Sequence, residues 1–372
     1  MKIIHGLLVA SMALSAVVAG AQTGSQPSGA AAAAPPAQQA APQQPKVPPQ
    51  PMPLRSLDQP PAPPAEPVFP PVDPKNFTAD APTADTVNAF LKALWGHDPS
   101  LVWRVMAIQK TPADGVSKVV VLAAKRGVAG NPQTLIFHVL PDGKHAIADQ
   151  AGVISFGATP FAELRKTLQD RADGPYRGAS SKDLMIVEFA DLQCPVCKTG
   201  AATMDQLTKD FPNARVVFQP FPLVDKHPFA YKAATYGYCV QTKKDNAAFF
   251  VFAEDVFAHQ DDLTPEKADQ TLKNAVTKAG LDPAAVDACA ATPEAKAWVD
   301  TSIKLAEEVG IGGVPAVIVN GRPVGLPNAQ FTYEMLKNMI SFQALQDGVS
   351  TGAPAAADTD TKKPPTLGTD KK

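Results

Sequence analysis

The chain has 372 residues, a formal net charge of −2 at pH 7 and 19% charged residues. It has no basic run apart from Lys371-Lys372 at its end, so nucleic-acid binding has no electrostatic support. No second long apolar segment follows the first 21 residues, which argues against further membrane spans.

The first 21 residues have the pattern of a secretory signal peptide. Lys2 gives a positive start, residues 3–18 are apolar, and Ala19-Gly20-Ala21 supplies small residues for a cut before Gln22. We therefore expect an exported protein, periplasmic or extracellular, where a dithiol can cycle through a disulfide. An uncleaved N-terminal anchor is the alternative.

Residues 22–74 are dense in Pro, Ala and Gln. Such a composition favours extended polyproline II structure and cannot bury enough apolar surface to offset the entropy of ordering. We expect a disordered, semi-stiff linker. It is either a tether that holds the folded part away from a surface or a leader with no specific role.

Residues 75–174 are predicted to form a small α+β domain. Thr83 can cap a helix that runs to Trp95. A second helix is expected over residues 160–170, and Gly174-Pro175 is a predicted hinge. Between the helices lie four strand-like runs, residues 101–109, 117–124, 134–140 and 145–148. No catalytic group of residues is evident here, and a role in docking or dimerisation is left open.

Residues 182–347 alternate strand and helix, which predicts an α/β layer fold. The helical stretch over about residues 228–308 is too large for a simple crossover and indicates an inserted helical subdomain. Residues 351–372 are polar and contain proline, so a disordered tail is expected. The predicted strands and flanking helices are residues 184–190, 198–209, 215–220, 316–320 and 332–345.

The motif Cys194-Pro195-Val196-Cys197 lies where a predicted strand turns into a helix. Unpaired N–H groups at a helix N-terminus lower the pKa of a thiol, so Cys194 is the expected nucleophile, with an exposed sulfur. Cys197, one turn later, is expected to be more buried and to act as the resolving thiol. A zinc site would need further ligands, and the candidate histidines, His227 and His259, are remote in sequence. We expect neither a metal nor a cofactor.

Three segments resemble thioredoxin-fold disulfide oxidoreductases of the DsbA kind. The resemblance covers about residues 182–345. It implies a thioredoxin-like fold, thiol-disulfide oxidoreductase activity, reduced or unfolded exported proteins as substrates, and a quinone-linked membrane protein as redox partner. The three segments are residues 187–197, 222–234 and 313–321.

The resemblance also implies roles for residues around the dithiol. Pro315 should follow a cis peptide bond and lie against the cysteines, leaving the backbone of Val314 free to pair with substrate. Pro195, Val196 and Val314 should form the apolar surface that binds substrate. The DsbA pair carries His at the position of Val196, so Cys194 should be less acidic here and the protein a weaker oxidant.

Glu188 lies inside an apolar run, where an acid is costly unless it is used or paired. Thioredoxin-fold enzymes carry a buried acid at the matching position, which implies that Glu188 moves protons to and from Cys197. Burial should raise its pKa. The alternative is that the period-2 alternation of the strand places Glu188 at a solvent-exposed edge of the sheet. The remaining cysteines, Cys239 and Cys289, form either a structural disulfide or two buried thiols.

An enzyme that forms disulfides in exported proteins is the leading hypothesis. Val314 favours it, because the resembling isomerases carry Thr at that position. The N-terminal domain is placed like the dimerisation domain of the DsbC and DsbG isomerases, so a dimeric isomerase or reductase is the alternative. A chaperone-like binder of unfolded exported proteins is a third hypothesis.

Overall fold

The computed structural model describes residues 66–128, 130–148, 152–324 and 331–352. The predicted signal peptide, residues 22–65 of the predicted linker and all but the start of the predicted tail lie outside the described residues. Among the residues that are described, no helix is long and apolar enough to cross a membrane.

The first domain packs one helix on one face of an antiparallel sheet. Helix α1 (Ala84–Trp95) begins where the Thr83 hydroxyl accepts a hydrogen bond from the Thr86 N–H at 3.1 Å. Its buried face includes Phe90, whose ring centroid lies 4.8 Å from that of Phe156. The sheet follows chain order: β1 (Leu101–Lys110), β2 (Ser117–Lys125), β3 (Gln133–Val139), β4 (His145–Ala148) and β5 (Gly152–Ser155).

The end of the predicted linker contacts this domain. Arg104 on β1 donates a hydrogen bond to the Pro70 carbonyl at 3.1 Å and lies over the Phe69 ring. Arg126 pairs with Glu66 at 2.8 Å. Residues 66–74 therefore lie along the first domain, although we expected them to belong to the linker.

The second domain is built on a mixed five-stranded sheet in the order β10-β9-β7-β8-β6. Strand β7 is buried along its whole length, pairs in parallel with β8 and pairs antiparallel with β9. The strands are β6 (Tyr176–Gly178), β7 (Met185–Ala190), β8 (Arg215–Pro220), β9 (Ala316–Val319) and β10 (Arg322–Val324). Three helices accompany them, α2 (Ala162–Arg171), α3 (Pro195–Asp210) and α9 (Tyr333–Gln346). We expected α2 in the first domain, but its Leu168 packs in the same core as β7.

Five helices lie between β8 and β9, which agrees with the predicted insertion. Cys239 on α4 and Cys289 on α7 form a disulfide that joins residues 50 positions apart. The helices are α4 (Ala230–Lys243), α5 (Asn246–Ala258), α6 (Ala268–Lys278), α7 (Pro283–Ala290) and α8 (Pro293–Glu308).

Strands β5, β6 and β10, of four, three and three residues, are absent from the sequence-based expectation. The predicted hinge at Gly174 is closely packed. Its N–H donates to the Gln219 side chain at 3.0 Å, and an added Cβ would collide with the Phe218 carbonyl.

Arg322 on β10 joins the two domains. Its guanidinium donates hydrogen bonds to the carbonyls of Ala93 and Leu94, in the last turn of α1. The same group stacks on Phe161 and lies 5.5 Å from the ring centroid of Phe342. A buried cation therefore satisfies carbonyls at the C-terminus of α1, where the helix dipole favours positive charge.

Candidate active site

Cys194 is the N-cap residue of α3, directly after the short segment that follows β7. Pro195 occupies the first helical position, where its missing N–H costs no hydrogen bond. The Cys194 carbonyl accepts the first helical hydrogen bond from Lys198 at 3.2 Å. The helix therefore begins at the dithiol, as the sequence predicted.

The expectation that Cys194 is exposed was wrong, because only 6% of the residue is accessible. Its sulfur lies 4.0 Å from the Val314 carbonyl oxygen. On the other side Gln260, from the helical insertion, donates hydrogen bonds to the carbonyls of Leu192 at 2.8 Å and Cys194 at 3.1 Å. The cysteine is thus covered by two segments distant in sequence.

The two thiols differ strongly in acidity. A hydrogen bond from the Cys197 thiol is the largest cause that lowers the pKa of Cys194, to about 6, and the N–H groups of Cys197 and Val196 add to it. Burial raises the pKa of Cys197 far above its ordinary value, and the hydrogen bond to Cys194 and the charge of Glu188 act in the same direction. At neutral pH Cys194 is therefore a thiolate and Cys197 a thiol.

Glu188 lies on the central strand β7 and is 5% exposed, so the alternative of a solvent-exposed edge is wrong. Burial raises its pKa to about 7, while the positive charge of Arg177 lowers it. Arg177 also forms an ion pair with Asp205 on α3. The charge of Glu188 raises the pKa of Cys197, so the two side chains interact. An acid with a pKa of about 7 can exchange a proton with its surroundings near neutral pH.

The peptide bond between Val314 and Pro315 is cis, and this loop leads into β9 beside the dithiol. Val314 is buried, so the expectation that its side chain belongs to an exposed substrate-binding surface was wrong. The exposed apolar surface at the dithiol comes from Pro195 and from Val196, which is 39% accessible.

Several polar residues at the site were missed by sequence reasoning. No local sequence pattern assigns a role to Asp191, Gln193, Gln260 or Arg177. His227 is remote from the motif in sequence. In the structure the His227 Nδ1 atom lies 2.7 Å from a carboxylate oxygen of Asp191, three residues before Cys194. Their chain separation hides this pairing. Within the described ranges, no group of three His, Cys, Asp or Glu side chains could hold a metal ion.

Part of this chain is similar to known proteins. Residues 170–341 match the family model described as Thioredoxin. The probable disulfide bond formation protein D of Bacillus cereus is 26% identical over 151 residues, which cover 39% of this chain and 68% of that protein. The Na(+)/H(+) antiporter NhaA 3 of Salinispora tropica is 29% identical over 146 residues, which cover 39% of this chain and 21% of the antiporter.

The chain thus spans about a fifth of the antiporter's length. Among solved structures, the catalytic domain of Proteus mirabilis ScsC has a TM-score of 0.40 and 22% identity, with coverage of 50% of this chain and 98% of that chain. The family-model match identifies residues 170–341 as a thioredoxin-like domain.

Proposed function

We propose that this protein, through its thioredoxin-like domain, is a thiol-disulfide oxidoreductase of the DsbA type that forms disulfides in exported proteins. The unequal acidity of Cys194 and Cys197 carries this proposal. A thiol of low pKa is a good leaving group in disulfide exchange, and a thiol that holds its proton does not compete with it. The loop at Val314 supports the same conclusion, because its carbonyl oxygen lies 4.0 Å from the Cys194 sulfur.

The oxidised enzyme would contain a disulfide between Cys194 and Cys197. A substrate thiolate attacks the Cys194 sulfur, forms a mixed disulfide and releases the Cys197 sulfur, which takes up a proton. Glu188 is the neighbouring acid that supplies it. A second substrate thiolate then attacks the substrate sulfur of the mixed disulfide, forms the product disulfide and expels the Cys194 thiolate.

Each cycle leaves two electrons on the enzyme dithiol. We propose that a quinone-linked membrane protein removes the two electrons and that the corresponding protons are released. Exposed apolar surface at Pro195 and Val196 would contact unfolded, reduced chains rather than one fixed sequence. The predicted signal peptide supports the proposal that the enzyme is exported.

A direct test uses stoichiometric oxidised protein and reduced, unfolded ribonuclease A. We expect ribonuclease disulfides to form while Cys194 and Cys197 become reduced, with the Cys239–Cys289 bond unchanged. Cys197→Ala, added in its reduced form to oxidised substrate, should accumulate a mixed disulfide on Cys194, and Cys194→Ser should accumulate none. Substrate oxidation at the same rate by the Cys194→Ser variant would contradict the proposal.

A dimeric isomerase or reductase is a second candidate, and one observation favours it. Ile136, Ile147 and Val153 lie exposed on one face of the first domain's sheet, opposite α1. Such a face could pair two copies of the chain. Sedimentation of the purified protein and the redox state of Cys194 in cells separate the candidates: an oxidised monomer indicates the oxidase, and a reduced dimer indicates the isomerase or reductase.

A further inference from the structure

A buried carboxylate lies beside the dithiol. Asp191 follows β7 directly, and its side chain is fully inaccessible. One carboxylate oxygen accepts the Gln193 N–H at 2.7 Å. The other accepts the Leu223 N–H at 2.9 Å and lies 2.7 Å from Nδ1 of His227. Because that oxygen is an acceptor, Nδ1 carries the proton and donates it.

The backbone of Asp191 contacts both cysteines. Its carbonyl accepts the Cys194 N–H at 3.1 Å, and its own N–H lies 3.5 Å from the Cys197 sulfur. A shift of Asp191 would therefore disturb both ends of the motif. The negative charge of its carboxylate also raises the pKa of Cys194, against the hydrogen bonds that lower it.

Of the three donors to the Asp191 carboxylate, two are backbone N–H groups fixed by the chain path and one is a side chain. His227 lies in the loop that leads from β8 into the helical insertion, and its side chain is 18% accessible. A buried carboxylate needs hydrogen-bond donors to offset its negative charge. Substitution of His227 can thus remove one donor without moving the chain.

We propose that His227 is a positioning residue for the dithiol: its Nδ1–H holds the Asp191 carboxylate and offsets its negative charge at Cys194. Through this contact, the loop before the helical insertion helps to keep Cys194 ionised. The inference rests on the proposed function for its biological meaning, but the ionisation of Cys194 can be measured without any substrate.

The test compares His227→Ala and His227→Asn in the full chain, with thiolate absorbance at 240 nm followed against pH in the reduced protein. Loss of the donor should raise the pKa of Cys194 by about one unit. Asn retains an N–H near the position of Nδ1, so its Cys194 pKa should stay near that of the parent. His145→Ala, which removes an exposed histidine paired with Asp142 at 2.5 Å in the first domain, is the matched control.

The same variants should differ in equilibrium with glutathione. If the pKa of Cys194 moves from about 6 to about 7, ionisation stabilises the reduced pair about fivefold less at pH 7, which is about 20 mV toward a more reducing potential. In His227→Ala, adding Asp191→Asn removes the charge, so most of the pKa rise should disappear.

His227→Phe, which fills the space without a donor, replaces His227→Ala if that variant fails to fold. A parental Cys194 pKa in a folded donor-free variant overturns the inference, and so does an equal rise in His227→Asn. If the pKa changes occur but the parent protein oxidises no substrate, the proposed function fails and the inference stands. If the parent oxidises substrate and the pKa does not move, the inference alone fails.

Discussion

Replacing Glu188 by glutamine should stabilise the protein at high pH and not at low pH. Burial raises the pKa of this acid from 4.5 to about 7, against the opposing charge of Arg177. Between these values the folded chain binds more protons at this position than the unfolded chain, so stability falls as the pH rises. At about 1.4 kcal/mol per pKa unit, the cost to the folded state reaches about 3 kcal/mol above pH 7.

The assay is urea unfolding at several pH values from about 4 to 8. A background carrying Cys194→Ser and Cys197→Ser keeps the thiols from titrating. The gain in unfolding free energy from Glu188→Gln should be near zero at the acid end and rise to about 3 kcal/mol at pH 8. Glu163→Gln, on the exposed surface of α2, is the control and should show no such rise.

Parallel stability curves for Glu188→Gln and its parent would refute the idea of a buried acid with a raised pKa. The same substitution in the active protein should slow protonation of the released Cys197 and leave attack at Cys194 nearly intact. If the release and protonation of Cys197 keep the same rate and pH dependence in Glu188→Gln as in its parent, Glu188 has no part in the mechanism, whatever its effect on stability.

Three other substitutions test separate parts of the structure. Val196→His should lower the pKa of Cys194 and make the pair more oxidising, toward about −120 mV in a glutathione titration; an unchanged potential would count against the electrostatic explanation. Replacing Cys239 and Cys289 together by alanine should lower the free energy of unfolding by about 4 kcal/mol in the chain-entropy model, measured in urea, since the closed loop spans 50 positions. Arg322→Met should speed amide exchange in α1 and leave the dithiol potential unchanged; slow exchange in that variant would mean that this side chain does not hold the two domains together.

Local patterns were sufficient to predict most of the fold. The apolar run at β7 and the Cys-Pro-Val-Cys motif identified a strand, a helix and the dithiol at their junction, because each is encoded within a few residues. Glu188 could be singled out because an acid among apolar neighbours is unusual. The length of the segment between β8 and β9 was enough to indicate a helical insertion.

The surroundings of the dithiol could not be predicted in the same way. Gln260 contacts Cys194 from 66 residues away, and His227 contacts Asp191 from 36 residues away. No local sequence pattern predicts such contacts. For the same reason the burial of Cys194 was missed, since the groups that cover it come from the insertion and from the loop at Val314. Arg177 lies on a three-residue strand without a visible period.

The pH dependence of alkylation tests the central claim most directly. The reduced protein is treated briefly with iodoacetamide at several pH values, and modification of each cysteine is measured by mass spectrometry. We expect Cys194 to react with a midpoint near pH 6 while Cys197 stays unmodified. If both cysteines react alike with a midpoint near the ordinary thiol value of about 8.5, the proposed division between an ionised attacking sulfur and a protonated partner is contradicted.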